Sequence, residues 1–188
     1  DFVKKILKVN KAGHSGTLDP AVTGVQPVAL DKGTKISQFM LTAPKEYVCL
    51  MHLHNQCSLE ELEKVLENFR GKITQLPPIK SAIKRVKRVR EIYELELLEF
   101  VEQDVLFRVK CEAGTYIRKL CHDIGQELGI GAHMAELRRT QAGPFTENDN
   151  LVTLNTLNDA YHFYKEGNDK LIKYCLQPLE NCLGHLRK

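Results

Sequence analysis

One carboxylate, Asp19, lies in a segment whose composition favours an ordered loop. Residues 13–20 read GHSGTLDP, and Thr23 and Gly24 follow. The glycines, small hydroxyl residues and proline shape the backbone, so the Asp19 side chain is positioned rather than loosely displayed. Such a carboxylate can act as a nucleophile and divide one difficult reaction into easier steps. The simpler alternative is an Asp-Pro pair that only starts a turn.

Arg118 is a second candidate because of its place in a predicted helix. A Gly-Thr pair precedes an amphipathic pattern over residues 117–128, which puts Tyr116 and Arg118 in the first helical turn. A cation there faces the positive end of the helix dipole, which is unfavourable unless an anion compensates. We expect Asp19 to be that anion, held in place by a charged hydrogen bond. A solvent-facing Arg118 is the alternative.

Positive charge is concentrated in one stretch, although the formal net charge is only +3. Residues 80–90 contain six cations and no acid. These cations are Lys80, Lys84, Arg85, Lys87, Arg88 and Arg90. A local cationic stretch suits a phosphate backbone, because each neutralised phosphate releases counterions. A solvated protein face is the alternative.

The cysteines do not predict a metal site. Cys49, His52, His54 and Cys57 resemble zinc ligands on paper, but strand alternation puts Cys49 and His52 on opposite faces. The chain has no C-x-x-C pair, secretory signal or long apolar span. We therefore predict a protein of a reducing, intracellular environment without a bound metal.

Apolar periodicity predicts the elements that position these side chains. Alternation over 45–53 predicts a strand with Tyr47, Cys49, Met51 and Leu53 on one face. The other predicted elements are an apolar stretch over 25–30, helices over 34–41, 117–128, 153–164 and about 169–183, a helix starting at a Ser58–Glu61 capping box and ending before Gly71, and strands near 92–101 and 105–111. Because several strands follow one another directly, we predict an α+β fold with a mixed, largely antiparallel central sheet flanked by helices.

The complete motif around Asp19 resembles the catalytic signature of the TruB and dyskerin pseudouridine synthases, GHSGTLDPxxTG. Further pieces of that family follow in order: KEY at 45–47, PP at 77–78, GTYIR at 114–118, ELRRT at 136–140 and GPF at 143–145. Residues 45–48, 82–85 and 131–139 are most similar to the archaeal guide-dependent branch. The resemblance covers nearly the whole chain, so it implies the pseudouridine synthase catalytic fold.

The resemblance also implies roles for single residues. Asp19 matches the nucleophile, and Arg118 matches the cation that orients it. Tyr47 matches an aromatic that stacks on the target base and could assist proton transfer, although it could also be an ordinary strand aromatic. Tyr116 matches another active-site aromatic. His14 matches a residue that fills the space left by the flipped nucleotide, or it is a structural histidine.

The implied reaction is the isomerisation of uridine to pseudouridine in RNA, which requires no cofactor. The cationic stretch corresponds to the region leading into an RNA-clasping thumb.

The resemblance implies two substrate modes: the TΨC-loop uridine of tRNA read directly, or an rRNA target selected by an H/ACA guide RNA in a small ribonucleoprotein. The archaeal-like motifs favour the guided mode. The alternatives are a noncatalytic RNA-binding or assembly module and a zinc-dependent nucleic-acid enzyme.

The chain also departs from the family pattern. The family pattern includes an upstream Lys-Pro motif and a C-terminal PUA domain, and residues 1–188 contain neither. We therefore interpret these residues as one catalytic domain, truncated at its N-terminus and lacking the PUA domain. Ala21 replaces a residue that is often basic, and Gln26 interrupts an apolar stretch. The implied location is cytoplasmic for an archaeal protein and nucleolar for a eukaryotic one.

Overall fold

The computed structural model describes residues 1–77 and 86–186, with the side chains of 183–186 left out. It divides into two compact units. The first comprises Asp1–Thr17, Gly24–Ala43 and Gln141–Lys188, and the second comprises Leu18–Thr23 and Pro44–Thr140. Asp19, Tyr47, Tyr116 and Arg118 all belong to the second unit.

The second unit is built on a sheet. Its strands are β2 (Thr23–Gly24), β4 (Lys45–Leu53), β5 (Gly71–Gln75), β6 (Arg88–Val101), β7 (Asp104–Cys111) and β8 (Ala132–Ala142), and its helices are α3 (Leu59–Asn68) and α4 (Ile117–Glu127). The last residue of β2 and the last two of β8 are counted in the first unit. The strand order is β2-β8-β4-β7-β6-β5. The β4/β7, β6/β7 and β5/β6 pairs are antiparallel. The predicted α+β class with a largely antiparallel sheet is confirmed.

The core of this unit lies between the sheet and its two helices. Strand β4 turns Cys49, Met51 and Leu53 inward, all fully buried, as the alternation predicted. Further buried side chains come from β7, α3 and α4: Val105, Phe107, Val109, Leu62, Leu66, Leu120, Cys121 and Ile124. Burying apolar area at about 25 cal/mol per Å² is the main force that holds these elements together.

The first unit contains a small sheet and a helical cluster. Strands β1 (Ala12–His14) and β3 (Val28–Leu30) pair antiparallel. Its other elements are α1 (Phe2–Leu7), α2 (Ser37–Thr42), β9 (Phe145–Thr146), α5 (Leu154–Lys165), α6 (Lys170–Cys175) and 3-10 segments over Asp31–Ile36 and Leu179–Leu186. Within the described part of the chain, no helix combines the length and apolar character that a membrane crossing requires.

Several predicted elements are confirmed and others need correction. Strand β4 and helices α3 and α4 lie where the periodicity placed them. The helix predicted over 34–41 is a 3-10 segment followed by α2. The helix predicted over 169–183 is split into α6 and a 3-10 segment, because Pro178 lacks the amide hydrogen needed to continue it. Strands β5 and β8 were not predicted.

Candidate active site

Asp19 occupies the first position of a tight turn. The Val22 amide donates a hydrogen bond to the Asp19 carbonyl oxygen at 2.9 Å, and Pro20 fills the second position, where its fixed φ suits the turn. The Asp19 side chain is 57% exposed. The carboxylate is therefore both held by its backbone and open to a substrate.

Arg118 lies in the first turn of α4 and reaches this carboxylate. Its Nη2 donates to Asp19 Oδ2 at 2.8 Å. The first turn of α4 contains no acidic residue, so Asp19 supplies the compensating anion from another part of the chain. The contact predicted between these two side chains is confirmed. The nucleophilic role of Asp19 stays a prediction.

Tyr47, on β4, forms one side of this site. Its ring packs against the core of the second unit, and the Arg139 guanidinium donates a hydrogen bond to its hydroxyl. Burial raises the pKa of Tyr47, and the negative charge of Asp19 adds to the rise, while Arg139 opposes it. The hydroxyl therefore keeps its proton at neutral pH. Stacking on a base stays a prediction for this ring.

Two buried cations lie beside Tyr47. Arg139 is 1% exposed and Lys45 is 5% exposed. Burial, followed by the positive charge of Arg139, lowers the pKa of Lys45 from 10.5 to about 8. Neither residue was assigned a role from the sequence, although both lie in the quoted motifs. Lys45 could have been noticed, because strand alternation gives it the same inward face as Tyr47.

Tyr116 is the N-cap residue of α4, and a glutamine holds its backbone. Gln75 Nε2 donates to the Tyr116 carbonyl oxygen at 3.1 Å, and the Tyr116 amide donates to Gln75 Oε1 at 3.0 Å. The Tyr116 side chain is half-buried. Its role as an active-site aromatic stays a prediction. No local pattern predicts this role for Gln75, since its partner is 41 residues away.

The residues predicted to bind RNA differ in their surroundings. His14 is exposed on β1 in the first unit. Lys80, Lys84 and Arg85 lie outside the described residues. Lys87 is exposed and Arg88 is half-buried.

Arg90 differs from the other cations of this stretch. Its side chain is 19% exposed, and its Nη1 lies 3.4 Å from Glu112 Oε1. The same nitrogen donates to the Val89 carbonyl oxygen at 2.8 Å. Arg90 therefore has a structural contact of its own, and its contact with RNA stays a prediction.

The zinc-like residues are separated as strand alternation predicted. Cys49 is buried with its Sγ 3.5 Å from Cys121 Sγ, whereas His52 lies on the other face with its Nδ1 2.7 Å from Asp104 Oδ1. Among residues 1–77 and 86–182, no group of three or more His, Cys, Asp or Glu side chains is arranged to hold a metal ion.

Comparison with known proteins gives the family. The TruB family pseudouridylate synthase N-terminal domain matches residues 4–117, and the tRNA pseudouridylate synthase B C-terminal domain matches residues 118–184. The chain belongs to the TruB family. The probable tRNA pseudouridine synthase B of Methanothermobacter thermautotrophicus is a TruB relative with 56% identity over 186 residues, covering 98% of this chain and 57% of the relative. The protein of the same description from Methanopyrus kandleri is also 56% identical, with 98% and 55% covered.

Two solved structures are similar to this chain and support its membership of the TruB family. The crystal structure of a Cbf5-Nop10-Gar1 complex contains a chain with a TM-score of 0.93 and 52% identity, covering 98% of this chain and 56% of that one. An H/ACA ribonucleoprotein bound to a substrate RNA containing 2'-deoxyuridine contains a chain with a TM-score of 0.89 and 49% identity, covering 98% and 55%. The chain therefore spans a little over half the length of the TruB relatives that it matches.

Proposed function

We propose that residues 1–188 form the catalytic domain of an RNA pseudouridine synthase. The observation that carries this proposal is the exposed Asp19 carboxylate, which is oriented by Arg118 at 2.8 Å and lies beside the aromatic Tyr47. Membership of the TruB family supports it. No net oxidation occurs in the reaction, so the proposal includes no redox cofactor.

The chemistry follows from these side chains. The target uridine must leave its RNA stack, at a cost of roughly a few kcal/mol, which stacking on Tyr47 would offset. The Asp19 carboxylate then acts as the nucleophile, at the ribose or at the base, and the bond that it forms breaks again before the product leaves. The bond from ribose C1′ to base N1 breaks, the base turns, and a bond from C1′ to C5 forms. A proton leaves C5 and N1 gains one, so atoms and charge balance.

The substrate and partners are inferred from the relatives. Two relatives carry the description of a probable tRNA pseudouridine synthase B. The solved structures contain a chain of this fold in a Cbf5-Nop10-Gar1 complex or in an H/ACA ribonucleoprotein bound to a substrate RNA. We therefore include both the TΨC-loop uridine of tRNA and an rRNA target paired to an H/ACA guide RNA. RNA modification by this protein would take place in the cytoplasm if the source is archaeal and in the nucleolus if it is eukaryotic.

The test is tritium release from RNA labelled at uridine C5, measured for the full-length protein with and without guide RNA. Asp19→Asn keeps the shape of the side chain but replaces the anionic carboxylate with a neutral, weakly nucleophilic amide, so we expect no release and little change in RNA affinity. Asp104 is also an exposed carboxylate and contacts His52, so Asp104→Asn is the matched control. It should release tritium at the wild-type rate. Continued release by Asp19→Asn would show that the mechanism is wrong. RNA binding without release by wild type would favour a noncatalytic module.

A further inference from the structure

Helix α4 carries Arg118, yet its N-terminus is held by residues from outside the helix. Tyr116 at the N-cap makes no capping hydrogen bond with its side chain, and the first turn contains a cation instead of the preferred acid. The Gln75 amide supplies two hydrogen bonds to the Tyr116 backbone, at 3.0 and 3.1 Å. The Tyr116 carbonyl oxygen also accepts the helical bond from the Leu120 amide at 3.0 Å. Gln75 thus fixes the residue from which the helix starts.

The turn before Tyr116 is held from a second side. The Glu112 amide donates to the Glu91 carbonyl oxygen at 2.8 Å, and the Glu91 amide donates to Glu112 Oε2 at 3.1 Å. Arg90 lies over Gly114, where a Cβ would come within 3.3 Å of the guanidinium. Gly114 also has φ +81°, so the turn accepts a side chain poorly at this position. Strand β6 therefore fixes the same turn that Gln75 fixes from β5.

The two strands that hold this turn are paired neighbours, and β6 contains the last two cations of the cationic stretch, Arg88 and Arg90. Gln75 is the last residue of β5, and Arg90 and Glu91 lie near the start of β6. Gln75 is 2% exposed, so its amide is enclosed and has little freedom to adopt another pose. The end of β5, the start of β6 and the start of α4 are therefore parts of one hydrogen-bonded cluster.

We propose that Gln75 is a positioning residue, which sets the place where Arg118 meets Asp19 and ties that place to β6, the strand that carries Arg88 and Arg90 of the cationic stretch. This inference rests on the proposed function. The ion pair itself is 57% exposed on both sides, and exposed pairs contribute little to holding a structure. The backbone under Arg118 must therefore be fixed by other contacts, and the Gln75 amide provides two of them.

The experiment compares Gln75→Leu with wild type in the full-length protein and its assembled complex. Leucine has a similar size but forms neither hydrogen bond. A displacement of about 1 Å in a catalytic group can cost on the order of 100-fold in rate, so we expect a single-turnover loss approaching that size. The dissociation constant for RNA should stay close to wild type, since Gln75 is buried. Gln126→Leu, an exposed glutamine on the same helix, is the matched control and should keep the wild-type rate.

Gln75→Glu gives a second readout, the pH dependence of the single-turnover rate per folded molecule, which a role in stability alone would not change. A protonated carboxyl group can donate to the Tyr116 carbonyl oxygen and accept from its amide, whereas a carboxylate can only accept. The rate of Gln75→Glu relative to wild type at the same pH should therefore rise as the pH is lowered. A relative rate independent of pH would overturn the proposal, even if Gln75→Leu fails to fold.

The other outcomes separate the two proposals. A folded Gln75→Leu protein with the wild-type rate would overturn the positioning role while leaving the proposed function intact. Equal losses of rate and RNA affinity would also overturn it, because they would indicate a binding role. Absence of turnover in wild type and in Gln126→Leu alike would instead overturn the proposed function.

Discussion

Replacing Lys45 with methionine should change how the stability of the protein depends on pH. Lys45 is 5% exposed at the start of β4, beside the equally buried Arg139. Folding therefore moves its ammonium group out of water and close to another cation. Methionine fills a similar volume without charge, so it removes the titration of this residue and keeps most of its packing.

The size of the effect follows from the lowered pKa of Lys45, which is about 8 in the folded protein and 10.5 ordinarily. This difference is about 2.5, and each pKa unit corresponds to about 1.4 kcal/mol, so the effect is at most about 3.5 kcal/mol. Between these two pH values the unfolded chain binds more protons than the folded one, so stability rises with pH. The charged Lys45 thus costs stability below about pH 8, and the cost disappears by about pH 10.5.

Urea unfolding at a series of pH values would measure this effect as a difference between variants. The free energy of unfolding of wild type, minus that of Lys45→Met, should increase by up to about 3.5 kcal/mol from neutral pH to about pH 10.5. Lys72→Met, at an exposed position on β5, is the control and should follow wild type. If the difference between wild type and Lys45→Met does not vary with pH, the assignment of Lys45 as a buried charge is wrong.

Two further predictions concern the helices that support the site. Ser58→Ala removes the hydroxyl oxygen that accepts from the Glu61 amide, while the residue 58 amide can still donate to the Glu61 carboxylate. It should lower the free energy of unfolding by about 1 kcal/mol, and an unchanged urea midpoint would contradict this. Gly125→Ala should destabilise the protein by about 1–3 kcal/mol, because a Cβ there would lie 2.1 Å from the Ala132 amide nitrogen. Helix propensity alone favours alanine by about 1 kcal/mol, so thermal unfolding that shows stabilisation by Gly125→Ala would refute the steric argument.

The elements that the sequence predicted well are those with a strong local pattern. Strand β4 alternates inward and outward side chains, and α3 begins at a complete capping box. Strand β8 escaped prediction because alanine, methionine, leucine, glutamate and arginine dominate it, and these residues favour helices. Its place in the sheet overrides that preference. Strand β5 has only five residues, and pairing with β6 defines it.

The site was predictable to a similar degree. The Asp19–Arg118 contact followed from a motif and from a cation in an unfavourable helical position. The hydrogen bond between Arg139 and Tyr47 gave no such signal, because it depends on strands that are distant in sequence. The Gln75 amide is likewise a side chain without a local pattern. Contacts of this kind become visible only when the sheet is assembled.

The ion pair between Asp19 and Arg118 joins residues 99 positions apart in the chain. Bringing such distant residues together costs loop-closure entropy, and the stabilisation from an exposed ion pair is smaller than this cost. The strands and helices between them must therefore form first. A chain still emerging from the ribosome, or one opened by heat, therefore lacks the Asp19–Arg118 ion pair, which forms only with the complete sheet.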